Sequence, residues 1–74
     1  MEIVKSIECF NPEFKGKAIK FSMYEEGIGE KMHNIGLVTE VNHDKVFVVL
    51  SDSNIVKLYL KDYKNGYLNI KVLA

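Results

Sequence analysis

The sequence has 74 residues, of which 47% are hydrophobic and one is proline. This length allows one domain and excludes two-domain architectures and large cofactor-binding folds. The apolar fraction separates the chain from disordered sequences, which lack the apolar surface needed for a core. Ten lysines balance ten acidic residues and arginine is absent, so no net field attracts nucleic acid or an anionic membrane.

Cysteine usage and hydropathy indicate a reducing compartment. Cys9 is the sole cysteine, which excludes an intramolecular disulfide and a zinc site built from paired cysteines. The longest unbroken apolar run, Val46 to Leu50, is far shorter than a membrane span. Charged residues within the first ten positions are atypical of a signal peptide. We therefore expect a cytoplasmic protein that does not cross a membrane.

We expect one domain over residues 1–74, with a head of residues 1–15 and a β-rich body of residues 16–74. Four apolar residues of the head have the spacing of one helical face: Ile3, Val4, Ile7 and Phe10. An extended segment would instead align Ile3, Ile7 and Cys9, and we favour the helix. Either element ends at Asn11–Pro12, because proline disfavours helical backbone in the residue before it.

The body begins with a predicted strand from Lys17 to Tyr24. Its alternation places Ile19, Phe21 and Met23 on one face, which is the period of a half-buried strand. Residues 25–34 contain two glycines and three glutamates without periodicity, and we predict an exposed loop there.

Two strands rich in β-branched residues are predicted next, at residues 35–42 and 45–51, with His43–Asp44 as a two-residue turn. This turn predicts an inner face formed by three cross-strand pairs: Val41–Val46, Thr39–Val48 and Leu37–Leu50. A three-residue loop of Asp52, Ser53 and Asn54 continues that face into a fourth strand. The predicted pairs of this second hairpin are Leu50–Val56, Val48–Leu58 and Val46–Leu60.

A two-residue loop in the second hairpin would place Lys57 on the core face, where an unpaired ammonium group is costly. Residues 61–66, KDYKNG, predict a tight turn with positive φ at Asn65–Gly66. Residues 67–73 alternate again and form the last of five predicted strands.

This order of strand, long loop, three-strand meander, tight turn and short last strand resembles the SH3-like small barrels, among them the Tudor and KOW-type modules. The resemblance covers about residues 14–73 and rests on the segments FKGKAIKF, IGLVTEV, KVFVVLSDSN and LYLKDY. Leu60, Asp62 and Tyr63 look like the turn that precedes the closing strand of such barrels. The resemblance implies a mainly β fold, a five-stranded SH3-like barrel on which the N-terminal head packs.

The sequence differs from these barrel families at two points that bear on function. The resemblance places the aromatic cage of Tudor-like readers near residues 35 and 51–54, where this chain has no aromatic residue. A reader of methylated side chains is therefore not expected. KOW-type modules that contact RNA usually present a basic surface, and zero net charge without arginine argues against that role.

No pattern of residues defines a catalytic, cofactor or metal site, and we predict no enzyme and no cofactor. Cys9 with His33 or His43 would supply a thiolate and its base, and the two histidines with Asp44 would supply metal ligands. A solvated turn explains His43 and Asp44 without either chemistry. Residues 27–29 lack the lysine and the further glycine of a phosphate-binding loop.

The predicted register leaves an apolar outer face on the meander, although outer positions of a half-solvated sheet are usually polar. Contiguous apolar surface is generally covered or used for binding. Either the head covers this face and the protein is a monomer, or the face contacts a protein partner or a second copy. We predict a non-enzymatic protein-interaction module whose contact residues are Val38, Phe47, Val49, Lys57 and Tyr59.

The alternative prediction is a module that associates weakly with nucleic acid. Lys17, Lys20 and Lys57 would contact phosphates and Tyr59 would stack on a base, which requires little net charge. The neutral composition disfavours this alternative.

Overall fold

The computed structural model describes residues 1–5, 9–25 and 29–74, with only the backbone for residue 25 and for residues 29–32. The fold is mainly β. In chain order its elements are β1 (Val4–Lys5), β2 (Cys9–Phe10), a 3₁₀-helix (Pro12–Phe14), β3 (Ala18–Glu25), β4 (Gly29–Val41), β5 (Lys45–Leu50), β6 (Ile55–Tyr59), α1 (Leu60–Lys64) and β7 (Leu68–Val72). Within these ranges no helix has the length and apolar character needed to cross a membrane.

Strands β3 to β7 form one antiparallel sheet in the order β6-β5-β4-β3-β7, and β1 and β2 form a separate two-stranded sheet. The five predicted strands of the body are confirmed. Strand β3 follows its predicted alternation, because Ile19 and Phe21 are buried and Met23 packs against the same core. Strand β7 pairs with β3, which brings the end of the chain beside the start of the sheet.

The predicted loop at residues 25–34 is wrong wherever the structure describes it. Strand β3 continues to Glu25 and β4 begins at Gly29, with Met23 opposite Lys31 and Tyr24 opposite Glu30. Residues 26–28 lie outside the described part of the chain. The pairing escaped prediction because residues 29–34 consist of a glycine and mostly polar residues without periodicity, and their strand conformation comes from backbone pairing with β3.

The β4–β5 hairpin confirms the predicted two-residue turn. Val41 pairs with Val46, and the Asn42 N–H donates to the Lys45 carbonyl oxygen at 2.8 Å across His43–Asp44. Beyond Val41 the predicted pairs are wrong, because the register shifts between Val38 and Glu40. The extra residue in this β-bulge is Thr39, which has no Cα pairing partner on β5. Its Oγ1–H donates to the Phe47 carbonyl oxygen at 3.4 Å.

The bulge reverses the predicted faces of two neighbouring residues. Val38 pairs with Val48 and is 1% exposed, whereas Leu37 pairs with Val49 and is 48% exposed. The predicted outward position of Val38 is therefore wrong, and so are the pairs Thr39–Val48 and Leu37–Leu50.

The β5–β6 hairpin has the predicted loop length, displaced by one residue. Residues 51–53 form the loop, because the Leu50 N–H donates to the Asn54 carbonyl oxygen at 2.9 Å. Val48 therefore pairs with Val56, and Val46 pairs with Leu58, two positions from the predicted register. A shift of two residues keeps the same side chains on each face, so the predicted inner face of β5 and β6 is retained.

The segment before β7 forms a short helix, α1, where a tight turn was predicted. Leu60 begins this helix and is 6% exposed, so its predicted strand pairing with Val46 is wrong although the side chain is buried. The Leu60 N–H donates to the Asp44 carbonyl oxygen at 2.8 Å, which attaches α1 to the first hairpin turn. Gly66 has the predicted positive φ of 83°, whereas Asn65 has a φ of −86°.

The helix predicted for the head is also wrong, because β1 and β2 are extended and antiparallel, with Val4 opposite Phe10. Residues 6–8, including Ile7, are outside the described ranges. Phe10 is 1% exposed, and its N–H donates to the His43 carbonyl oxygen at 3.2 Å. The described part of the head therefore packs on the inner side of the sheet. The alternative in which the head covers the outer face at Phe47 and Tyr59 is not found among the described residues.

The core lies between the inner face of the large sheet, the head and α1. Its buried hydrophobic residues are Phe10, Phe14, Ile19, Phe21, Val38, Val46, Val48, Leu58, Leu60 and Leu68. The rings of Phe10 and Phe14 meet edge to face with centroids 6.2 Å apart. The head, the large sheet and α1 all contribute residues to this cluster. Each of them therefore depends on the others for its burial.

Candidate binding surface

The outer face of strands β4, β5 and β6 carries contiguous apolar side chains. We call this surface the outer patch and define it as Ile35, Leu37, Phe47, Val49, Ile55 and Tyr59. Leu37 pairs with Val49 and Val49 pairs with Ile55, so these residues form one row across three strands. Leu37 is 48% exposed, Ile55 is 63% exposed, and Ile35 on the same face is 61% exposed.

Lysines surround the aromatic end of the outer patch. Lys57 is opposite Phe47, and its Nζ lies 5.8 Å from the centroid of that ring. Tyr59 is opposite Lys45, and the Lys61 Nζ lies 5.9 Å from the Tyr59 ring centroid. Ammonium groups at these distances are attracted to the ring quadrupole. The aromatic end of the patch is therefore positively charged at its margin.

The structure brings together four of the five predicted contact residues. Phe47, Val49, Lys57 and Tyr59 share the outer face of β5 and β6, as the register of the second hairpin requires. Val38 lies in the core. Its place on the surface is taken by Leu37, because the Thr39 bulge changes which side chain of β4 faces outward.

Three members of the outer patch were missed by sequence reasoning: Ile35, Leu37 and Ile55. Ile55 alternates with Lys57 and Tyr59 along β6, and that period of two was sufficient to find it. Ile35 and Leu37 lie beyond the bulge, where unbroken alternation predicts the opposite face.

The predicted nucleic-acid residues are spread across the sheet and do not form one cluster. Lys57 and Tyr59 lie on β6, whereas Lys20 lies on β3 and two strands separate them in the sheet. Lys17 precedes β3, and its carbonyl oxygen accepts the Val38 N–H at 2.9 Å. The structure therefore does not bring the four residues of the alternative prediction next to one another.

The cysteine and the two histidines considered for catalysis or metal binding line two different cavities. Cys9, a free thiol, and His43 line a cavity of about 250 Å³ beside the head. His33 lines a different cavity, between Lys20 and Lys71. Among the residues that the structure describes, no three His, Cys, Asp or Glu side chains are placed to hold a metal ion.

Comparison of the chain with protein families, with curated proteins and with solved structures gives no match.

Proposed function

We propose that this chain is a non-enzymatic protein-interaction module built on an SH3-like barrel, with the outer patch as its contact surface. Two features support the barrel proposal. The first is the order β6-β5-β4-β3-β7, in which the last strand returns to the first strand of the body. The second is the short helix α1 immediately before that returning strand. A cytoplasmic setting belongs to the same proposal and is supported by the free thiol of Cys9.

The observation that carries the interaction proposal is the row of Leu37, Val49 and Ile55. Outer positions of a solvated sheet are usually polar, and a chain this small gains little by leaving branched apolar residues in water. Removing one such side chain from water contributes about 1.5–3 kcal/mol. Two or three of these side chains suffice to anchor a partner.

The charged residues at the margin of the outer patch indicate which kind of partner surface would bind there. Lys45, Lys57 and Lys61 lie around Phe47 and Tyr59, with Glu40 opposite Phe47 on β4. A protein surface with an apolar centre and carboxylates at the border complements this arrangement, because opposite potentials steer encounter and fix the orientation of binding.

A paired capture experiment tests the proposal. The variant Leu37→Ser/Ile55→Ser removes two exposed apolar side chains from the outer patch. The control Leu73→Ser removes an exposed apolar side chain after β7, where Leu73 is 46% exposed against 48% for Leu37. Each immobilised protein is incubated with host lysate, and the bound proteins are quantified by mass spectrometry after circular dichroism has confirmed folding.

We expect proteins that bind the parent chain and the control but are lost from the patch variant. Light scattering of the same three proteins identifies self-association, which would require the patch and disappear only in that variant. Identical capture profiles and identical masses for the parent and a folded patch variant would refute the outer patch as a contact surface.

A further inference from the structure

A second surface, on the outer side of strands β3 and β7, is chemically unlike the outer patch. Three cross-strand pairs follow one another along it: Lys20 with Lys71, Ser22 with Asn69, and Tyr24 with Tyr67. We call these six residues the β3–β7 ladder. They belong to the two ends of the body and meet only because β7 pairs with β3.

The lysine end of the ladder is a basic groove. Lys20, Lys71 and His33 line a cavity of about 240 Å³ together with Ser22 and Asn69. No carboxylate is among the described residues that line it. Like charges directly opposite each other on neighbouring strands are destabilising, and a bound anion relieves that repulsion. Charge complementarity therefore points to a negatively charged ligand.

The tyrosine end offers an aromatic platform. The rings of Tyr24 and Tyr67 are stacked, with centroids 6.3 Å apart and an interplanar angle of 29°. Tyr24 is 45% and Tyr67 is 40% exposed, so ring surface is available to a ligand. Stacking on such rings accepts any nucleobase, because every base has a π face.

We propose that the β3–β7 ladder binds single-stranded nucleic acid, with phosphates at Lys20 and Lys71 and bases stacked on Tyr24 and Tyr67. Tyr24 lies four positions after Lys20, a distance of about 13 Å along an extended strand. A short strand of several nucleotides spans that distance, whereas a free phosphate occupies only the lysine end. Two exposed tyrosine rings favour a nucleobase over an acidic peptide or an anionic lipid headgroup, because each base stacks through its π face. Lys20 is opposite Ile35 of the outer patch on the neighbouring strand, so the ladder borders the outer patch. The proposal does not rest on the function of that patch.

Fluorescence anisotropy with a labelled twelve-nucleotide single strand tests the proposal, titrated at about 50 mM and 200 mM salt. Lys20→Ala/Lys71→Ala should weaken binding at least tenfold at the lower salt. The slope of log affinity against log salt should fall by about 1.4, because each phosphate contact on a single strand contributes about 0.7. Lys5→Ala/Lys15→Ala is the matched control, with the same loss of charge at two exposed lysines of the head, and should change little.

Tyr24→Leu/Tyr67→Leu should weaken binding at least fivefold while leaving the salt slope unchanged. Amide shifts of the parent protein on titration should cluster in Lys20–Tyr24 and Tyr67–Lys71, a readout that needs no variant. The proposal is overturned by absence of binding at 50 mM salt or by equal losses in the lysine variant and its control. It is also overturned if polyglutamate or phosphatidylserine vesicles bind as tightly as the oligonucleotide and the tyrosine variant binds normally.

Discussion

At Gly36 the backbone of β4 comes so close to β5 that a side chain has no room. A methyl group there would collide with the Val48 Cγ1 atom and lie 2.8 Å from the Val49 carbonyl oxygen. We expect Gly36→Ala to lower the free energy of unfolding by about 1–3 kcal/mol, the usual cost of overpacking. Urea unfolding followed by circular dichroism measures it. Ile35→Ala, exposed on the same strand, should cost less than about 1 kcal/mol, and equal losses would contradict the steric explanation.

Asn11 fixes the head to the body through a buried amide. It is 3% exposed; its Nδ2–H donates to the Glu2 carbonyl oxygen at 2.9 Å and its Oδ1 accepts the Glu13 N–H at 3.0 Å. Asn11→Ala leaves both groups without that partner and should cost about 1–3 kcal/mol. Amide exchange should accelerate first at Cys9 and Phe10. The exposed Asn42→Ala serves as control, and unchanged exchange in the head of Asn11→Ala would refute this role.

At the level of single residues, sequence reasoning identified the outer face of β5 and β6 and failed on β4. Phe47, Val49, Lys57 and Tyr59 follow from strict alternation because no bulge interrupts β5 or β6. On β4, Leu37 and Val38 are both apolar, so side-chain chemistry does not reveal which one faces inward. The Thr39 bulge determines that Val38 and not Leu37 faces inward. A bulge is a feature of backbone pairing, which the side-chain pattern does not show.

Among the elements, the β5–β6 hairpin has a loop with a serine in the left-handed region of φ. Ser53 is the only described non-glycine residue with positive φ, at 70°, and the Asp52 carboxylate accepts the Asn54 N–H at 3.0 Å beside it. A residue with Cβ loses about 1 kcal/mol in this conformation. We therefore expect Ser53→Gly to raise the free energy of unfolding by about 0.5–1 kcal/mol, measured by thermal and urea unfolding.

Ser51 supplies the control for that prediction. It lies in the same loop without positive φ, and Ser51→Gly should slightly destabilise the protein because glycine adds freedom to the unfolded chain. Stabilisation by both glycines would show that loop flexibility, not the conformation of Ser53, sets the stability of this hairpin.

Two elements escaped prediction for a common physical reason. Strands β1 and β2 have two residues each, too few to display a period, and the spacing of Val4 and Phe10 fits a helix as well as a hairpin. The first residues of β4 are glycine and polar residues, which predict a loop. Their strand conformation comes from backbone pairing with β3, and no side-chain pattern records that pairing.

For the whole molecule, the shared core predicts one cooperative transition. Phe10 from the head and Leu60 from α1 belong to the same buried cluster as Val46 and Val48 of the sheet. Tyrosine fluorescence and far-UV circular dichroism should therefore give coincident urea curves, with a slope of about 1 kcal/mol per molar urea. Phe10→Leu should lower the midpoint of both curves together, by about 1 kcal/mol in stability. An earlier transition for the head alone would contradict a single core.

The β3–β7 ladder shows why surface chemistry is harder to predict than strands. Lys20 and Lys71 belong to opposite ends of the body, and each is an ordinary exposed residue on its own strand. Only the strand order of the sheet places them opposite each other. The net charge of zero concealed this arrangement, because a balanced total does not exclude a local concentration of one sign.

The Thr39 bulge also determines how the chain tolerates changes in length. Deleting Thr39 would leave Glu40 opposite Phe47 and Val38 opposite Val48 in an unbroken ladder, with every other partner of β4 on β5 unchanged. Core and outer patch would keep their residues. β4 would lose the local bend that a bulge introduces and the hydrogen bond from the Thr39 Oγ1–H to the Phe47 carbonyl oxygen. A one-residue deletion within residues 34–38, where the ladder is regular, would exchange the two faces of the strand on one side of the cut. An evolving lineage can therefore lose the codon for residue 39 while the core face and the outer patch keep their residues.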